Sequence, residues 1–176
     1  AVARAIGSLC LTKATLAINA GSAATFKSTG TITYLLDGVF KTKAALSAQA
    51  FSSGHSTVKT GYRCLFAVAL DAAGNVATFQ GPLYKTETVD GATKYRPYRI
   101  LQNNTPGSSS VIEPMGTLVD NNCRLFPDVP SGYSVIGAIK VNATSADFVP
   151  GTTALDAAGV TTTYTDLAFG PASTDI

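Results

Sequence analysis

Residues 64–70, CLFAVAL, carry no polar side chain, and this run dominates the hydrophobic pattern of the chain. In an extended strand Cys64, Phe66, Val68 and Leu70 share one face while Leu65, Ala67 and Ala69 share the other, so the pattern predicts a strand covered on both sides. Residues 71–75, DAAGN, supply a turn in which Gly74 and Asn75 tolerate positive φ, and residues 76–79 return as the partner strand. Ala and Leu also favour helix. However, Gly61 and the Asp-Gly-Asn cluster bound the run at strand length, and no one-sided helical stripe is present.

The same alternation recurs along the chain. Residues 31–36, TITYLL, and Val39–Lys43 flank Asp37-Gly38, a strong hairpin signal. Leu83–Val89 and Ala92–Leu101 flank Asp90-Gly91, and Pro97, which lacks an amide donor, places the second strand of that pair at a sheet edge. Residues 133–141, 147–149 and 161–164 read as further strands. The stretch 8–18 predicts one strand followed by a loose connection at 19–24, and residues 44–60 a weak helix that ends in a Ser/Gly loop. Residues 103–110, NNTPGSSS, form a linker-like segment. The hexapeptide ALDAAG occurs at 69–74 and again at 154–159, which reads as a reused turn. The expected fold is all-β, mainly antiparallel hairpins in a sandwich or barrel-like arrangement with at most one or two short helices. Residues 1–30 form an N-terminal strand or arm and residues 31–176 a single β domain.

Composition adds an expectation of assembly. Only 14% of the 176 residues are charged and the mean hydropathy is +0.21, against about 25% charged in a typical soluble domain. With no transmembrane run to absorb the apolar excess, a subunit interface is its expected destination. The net charge of +2 is small for a chain that grips a phosphate backbone, so nucleic acid is not an expected partner, and neither is a membrane. Cys10, Cys64 and Cys123 are odd in number and follow no metal or redox spacing; they read as small buried hydrophobes of a protein made in a reducing compartment. The N-terminal residues lack the uninterrupted apolar core of a signal peptide. Lys94, Arg96 and Arg99, interleaved with Tyr95 and Tyr98, read first as protection of an edge strand and second as a binding patch. These five are the candidate assembly contacts.

Chemistry has little footing. The single histidine, His55, lies in a Ser/Gly loop with no GxSxG elbow, and no phosphate-binding GxGxxG or GxxxxGK[ST] motif occurs. Asp37, Asp71, Asp90 and Asp128 sit at predicted turns, where capping explains them. The triplet 142–144, NAT, also reads as a turn. No catalytic residue, cofactor or metal site is expected, and the chain is expected not to be an enzyme.

Two C-terminal segments carry a resemblance. LFPDVPSGYSVIGAIKV (125–141) and FVPGTTALDAAGVTTTYTDL (148–167) resemble virion proteins of tailed bacteriophages whose ends look like LPxxPxGxxxIGxxxV and FxPGTTxLDAxGVTxTYxDL. Residues 31–34 with 37–41, and 62–65 with 73–76, are similar to the same group in the same order. The departure is Phe126, where the group tends to place Leu and Pro side by side. The resemblance implies a β-rich subunit, without catalytic residues, on a virion made in the bacterial cytoplasm. A capsid decoration or cement protein on the outer surface of the head is the leading expectation, with the major capsid protein and its own copies, as a homotrimer at local three-fold positions, as partners. The segments 1–24 and 103–110 would then be arms toward neighbouring subunits. The alternative is a tail-fibre or baseplate module binding a host receptor or glycan. The absence of Trp, heptads and Gly-X-Y repeats disfavours it.

Overall fold

The computed structural model describes residues 8–21, 23–101, 111–119 and 125–168, and within them every strand pairing is antiparallel and no α-helix occurs. The predicted arm at 103–110 and Cys123 lie outside the described residues. From Ser8 onward the N-terminal stretch is built into the body. β1 (Ser8–Cys10), β2 (Leu16–Ile18), β3 (Phe26–Ser28), β4 (Ile32–Leu36) and β5 (Val39–Lys43) form two small sheets, β1-β4-β5 and β2-β3. The β4-β5 hairpin turns at Asp37 and Gly38, with φ of 49° and 80°, the double positive-φ turn that Asp-Gly predicts.

Two expectations for this half are corrected. The single strand expected over 8–18 is two strands in different sheets, broken before Leu16 by Thr15 at φ 52°. Partners far along the chain impose the break: the Leu16 N–H donates to Asp166 Oδ1 at 3.1 Å, and its side chain packs where a Cβ on Gly137 would collide with it. The weak helix expected at the start of 44–60 is extended, irregular chain. Leu46, Phe51 and Val58 are each buried, and the backbone bonds of the segment go to other elements. Ser28 N–H donates to the Leu46 carbonyl, Phe26 and Gln49 exchange bonds at 2.9 and 2.8 Å, and Val58 and Phe148 do the same at 2.9 Å. These contacts override a modest helix propensity.

The larger sheet has seven strands: β6 (Arg63–Leu70), β7 (Val76–Gln80), β8 (Leu83–Val89), β9 (Ala92–Leu101), β10 (Val111–Pro114), β11 (Ser134–Ala143) and β12 (Val160–Asp166), in the order β10-β9-β8-β6-β11-β12 with β7 also beside β6. Residues 64–70 are all buried, as the unbroken apolar run requires. β11 follows one edge of β6, from Leu70 opposite Ser134 to Arg63 opposite Asn142. The other edge is shared, β7 covering residues 66–70 and β8 taking over where Tyr84 faces Arg63. At the handover Gly81 donates its N–H to Leu65 O at 2.8 Å and lies so close to the Leu125 carbonyl that a Cβ would clash.

Both faces of this sheet are covered, which is why β6 needs no polar side. Cys64, Phe66, Val68 and Leu70 meet Cys10, Ile32, Tyr34, Leu36, Phe51 and Phe148, and the ring of Phe51 lies 4.9 Å from that of Phe66 and 5.7 Å from those of Phe26 and Phe148. On the opposite face Leu65, Tyr84 and Ala138 pack under Leu125 and Leu167. The result is a two-layered β body from which β8, β9 and β10 extend beyond the end of β6.

Candidate functional site

All five candidate contact residues fall on β9, but the two-residue period of a strand divides them between the two sides of the sheet. Tyr98 packs with the larger core cluster and carries Lys94 and Arg96 on its side; Tyr95 packs with the smaller cluster and shares its side with Arg99. They therefore do not form one patch. Most of the basic residues here also have partners within the sheet. Arg96 Nε and Nη2 meet the Glu87 carboxylate at 2.5 and 3.0 Å, and Arg99 pairs with Glu113 across β10. Lys85 Nζ lies 4.3 Å from the ring centroid of Tyr62 and 5.9 Å from that of Tyr98, with the two rings edge to face at 5.1 Å. The hydrogen bond from Arg96 holds the Glu87 carboxyl below its ordinary range, and Glu87 in turn pushes the Arg96 guanidinium up.

Pro97 led to the expectation of an edge strand, and the structure corrects it. β10 pairs outside β9, so β9 is internal. The Pro97 carbonyl accepts the Met115 N–H at 2.8 Å but the ring has no donor to return. The β10 ladder accordingly stops at Pro114, and the chain bows outward over 115–118 before Tyr95 and Val119 exchange bonds at 2.9 and 2.8 Å. The proline is accommodated by interrupting its neighbour.

A second place gathers polar side chains. A groove of about 570 Å³ runs beside β7, lined by residues 52–55 on one side, residues 77–80 beneath, and Asp128 and Tyr133 on the other side. His55 Nε2 lies 2.8 Å from Thr78 Oγ1, which also accepts the Ser52 N–H at 2.8 Å; the Ser52 hydroxyl accepts the Thr78 N–H at 2.9 Å. Burial lowers the His55 pKa and hydrogen bonding to Thr78 offsets only part of that, so the ring is neutral near pH 7. A hydroxyl beside an imidazole suggests a nucleophile and its base. Thr78, though, is only 3% exposed and its oxygen already serves the Ser52 amide, so the pair fastens the loop to the strand. The groove was invisible in the sequence because its residues come from three separated segments. Among the described residues no cluster of three or more His, Cys, Asp or Glu side chains forms a metal-binding arrangement.

The cysteines that are described carry no reactivity signal. Cys10 and Cys64 are free and buried; burial raises both thiols, Cys64 to about 12, far from the thiolate a nucleophile needs.

The side chains of the C-terminal motif, in contrast, are occupied with structure. Phe148 and Leu155 are buried in the larger core, and Leu167 in the smaller. Thr153 Oγ1 accepts the Val149 N–H at 2.9 Å and Asp166 receives Leu16. Gly159, at φ 83°, receives Thr144 through its carbonyl and has no room for a Cβ beside Ser145. Comparison with protein-family models, with curated proteins and with solved structures gives no match for this chain.

Proposed function

We propose that this protein is a non-enzymatic structural component of a tailed-bacteriophage virion, most simply a decoration or cement subunit of the head that binds the major capsid protein as a homotrimer. The observation that carries this reading is the use made of the segments resembling virion proteins: Phe148, Leu155, Gly159, Asp166 and Leu167 close the core or tie β12 to β2, leaving a pattern that specifies a scaffold. A second support is the surface left over. Among the described residues β5 pairs only with β4, and Val39 and Phe40 on it are 56% and 71% exposed. An open strand edge bearing an exposed phenylalanine is suited to a second copy of the chain, and closed rotational symmetry would bury it repeatedly.

The test combines mass in solution with position on the particle. A trimer that dissociates with Phe40→Ser while the β-sheet signal is retained, and density for the protein on the head shell, is the expected result. A stable wild-type monomer, or density confined to the tail tip, would overturn this reading in favour of a tail module.

A further inference from the structure

The groove beside His55 plays no part in the structural role, yet its polar groups divide into two sets. Those of the floor and loop are already used: Thr78 and Ser52 bond each other, and the Gln80 amide clamps the backbone of Ser56, accepting its N–H at 2.7 Å and donating to its carbonyl at 2.9 Å. Those of the rim are not engaged by any described residue. The Ser53 hydroxyl, the Asp128 carboxylate and the Tyr133 phenol make no hydrogen bond among the described residues, although all three line the groove. Tyr133 also brings an aromatic surface, its ring meeting that of Phe79 edge to face at 5.0 Å, and both rings are partly exposed.

The chemistry of this lining selects among ligands. Among the described residues no Lys or Arg lines the groove, so a phosphate or sulfate would face the Asp128 carboxylate without a counter-charge from them. A wholly apolar ligand would strip water from Asp128 and Ser53 without replacing its hydrogen bonds. A neutral sugar satisfies both demands, laying the C–H face of its ring on an aromatic side chain and directing hydroxyls to a carboxylate and a serine. The framework beneath is fixed by its own bonds, which limits the ordering cost of binding. From this division of groups engaged and not engaged by described residues we infer that the groove is a binding site for a neutral saccharide, held by Tyr133 and Asp128.

The inference is independent of where the protein resides, and it is tested on the full chain labelled with nitrogen-15. Maltotriose, cellotriose and triacetylchitotriose are titrated separately at pH 7, with inorganic phosphate as the charged control. At least one sugar is expected to shift the amides of Ser53, Gly54, Phe79 and Tyr133 saturably, with Tyr133→Ala and Asp128→Asn each weakening the affinity about tenfold or more. Asp128 is exposed, so Asp128→Asn is expected to keep the wild-type melting temperature and serves as the variant free of folding artefacts. Absence of saturable shifts with all three sugars, shifts centred elsewhere, an affinity unchanged by Asp128→Asn, or phosphate acting on the same amides more strongly than the sugars would each overturn it.

Discussion

β6 and the β8-β9-β10 extension are parts of one sheet with the same antiparallel pairing, yet different forces hold them. Along β6 seven consecutive side chains are buried between two covering layers, so the strand is held from above and below by apolar contact at roughly 25 cal/mol per Å². Beyond Tyr84, β8 has left β6 behind and its side chains are mostly half-buried. There the strands are joined sideways by the ladder bonds of β8, β9 and β10, with the Arg96–Glu87 and Arg99–Glu113 pairs and the contact of Lys85 with the edge-to-face rings of Tyr62 and Tyr98 lying over them. Hydrogen-bonded pairing thus sets the geometry in both regions, while burial decides how firmly each is kept.

The sharpest way to break the contrast is Phe66→Ala, which leaves a cavity under Phe51 and Phe148 and is expected to cost about 3–5 kcal/mol in denaturant unfolding. A cost near that of a surface substitution would show that β6 is not the centre of the core. Tyr95→Ala, on the extension, removes the edge-to-face contact with Tyr84 at 5.9 Å and is expected to cost about 1–2 kcal/mol. Hydrogen exchange should locate that loss in β8, β9 and β10 while β6 amides keep their relative protection; uniform loss would erase the distinction between the two regions.

Ion pairs sharpen the comparison at smaller scale. Asp147 accepts from Lys59 Nζ and from the Thr60 N–H and hydroxyl at 2.8 to 2.9 Å, which holds its carboxyl down to about 2 from the ordinary 3.8. A depressed folded pKa means stability present above pH 3.8 and lost as the pH falls toward 2. After discounting for its exposed position the loss is expected to be about 1 kcal/mol, and Asp147→Asn should flatten that part of the pH profile. The smallest effect is expected from Glu87→Gln: the Arg96 and Glu87 side chains remain 30% and 35% exposed, so solvent and salt screen the pair, and unfolding midpoints in low and high salt should agree with wild type within error. A clear salt-dependent loss would promote ion pairing to a principal force in the extension.

Hairpins were legible wherever the turn chemistry was local. Asp37-Gly38 and Asp90-Gly91 both adopt paired positive φ, and the polar-free run of β6 foretold its two-sided burial. What the chain concealed was set by distant partners. Leu16 begins a strand because Asp166 and Gly137 receive it, and 44–60 stays extended because Phe26, Ser28 and Phe148 take its backbone bonds. Pro97 was understood chemically but misplaced topologically: the missing donor interrupts β10 and does not leave β9 at the margin. Of the candidate sites, the aromatic and basic run on β9 is visible as letters and reads first as edge protection and second as a binding patch, but β9 is internal and strand alternation separates the members of the run. The groove required Tyr133 and Asp128 to come beside His55, which no spacing encodes.

The pairing of β6 with β11 also has a consequence in time. Leu70 finds its partner in Ser134 and Arg63 in Asn142, while a ribosome adds about 5–20 residues per second. For several seconds of synthesis the most apolar strand of the nascent chain has its own hairpin mate, β7, on one edge and no mate on the other. A seven-residue stretch of that character, open along one side, is a template for aggregation. The yield of soluble protein is therefore expected to fall the longer that edge stays bare, and slower translation or higher temperature should divert more chains into inclusion bodies before β11 arrives, which the soluble fraction on expression measures.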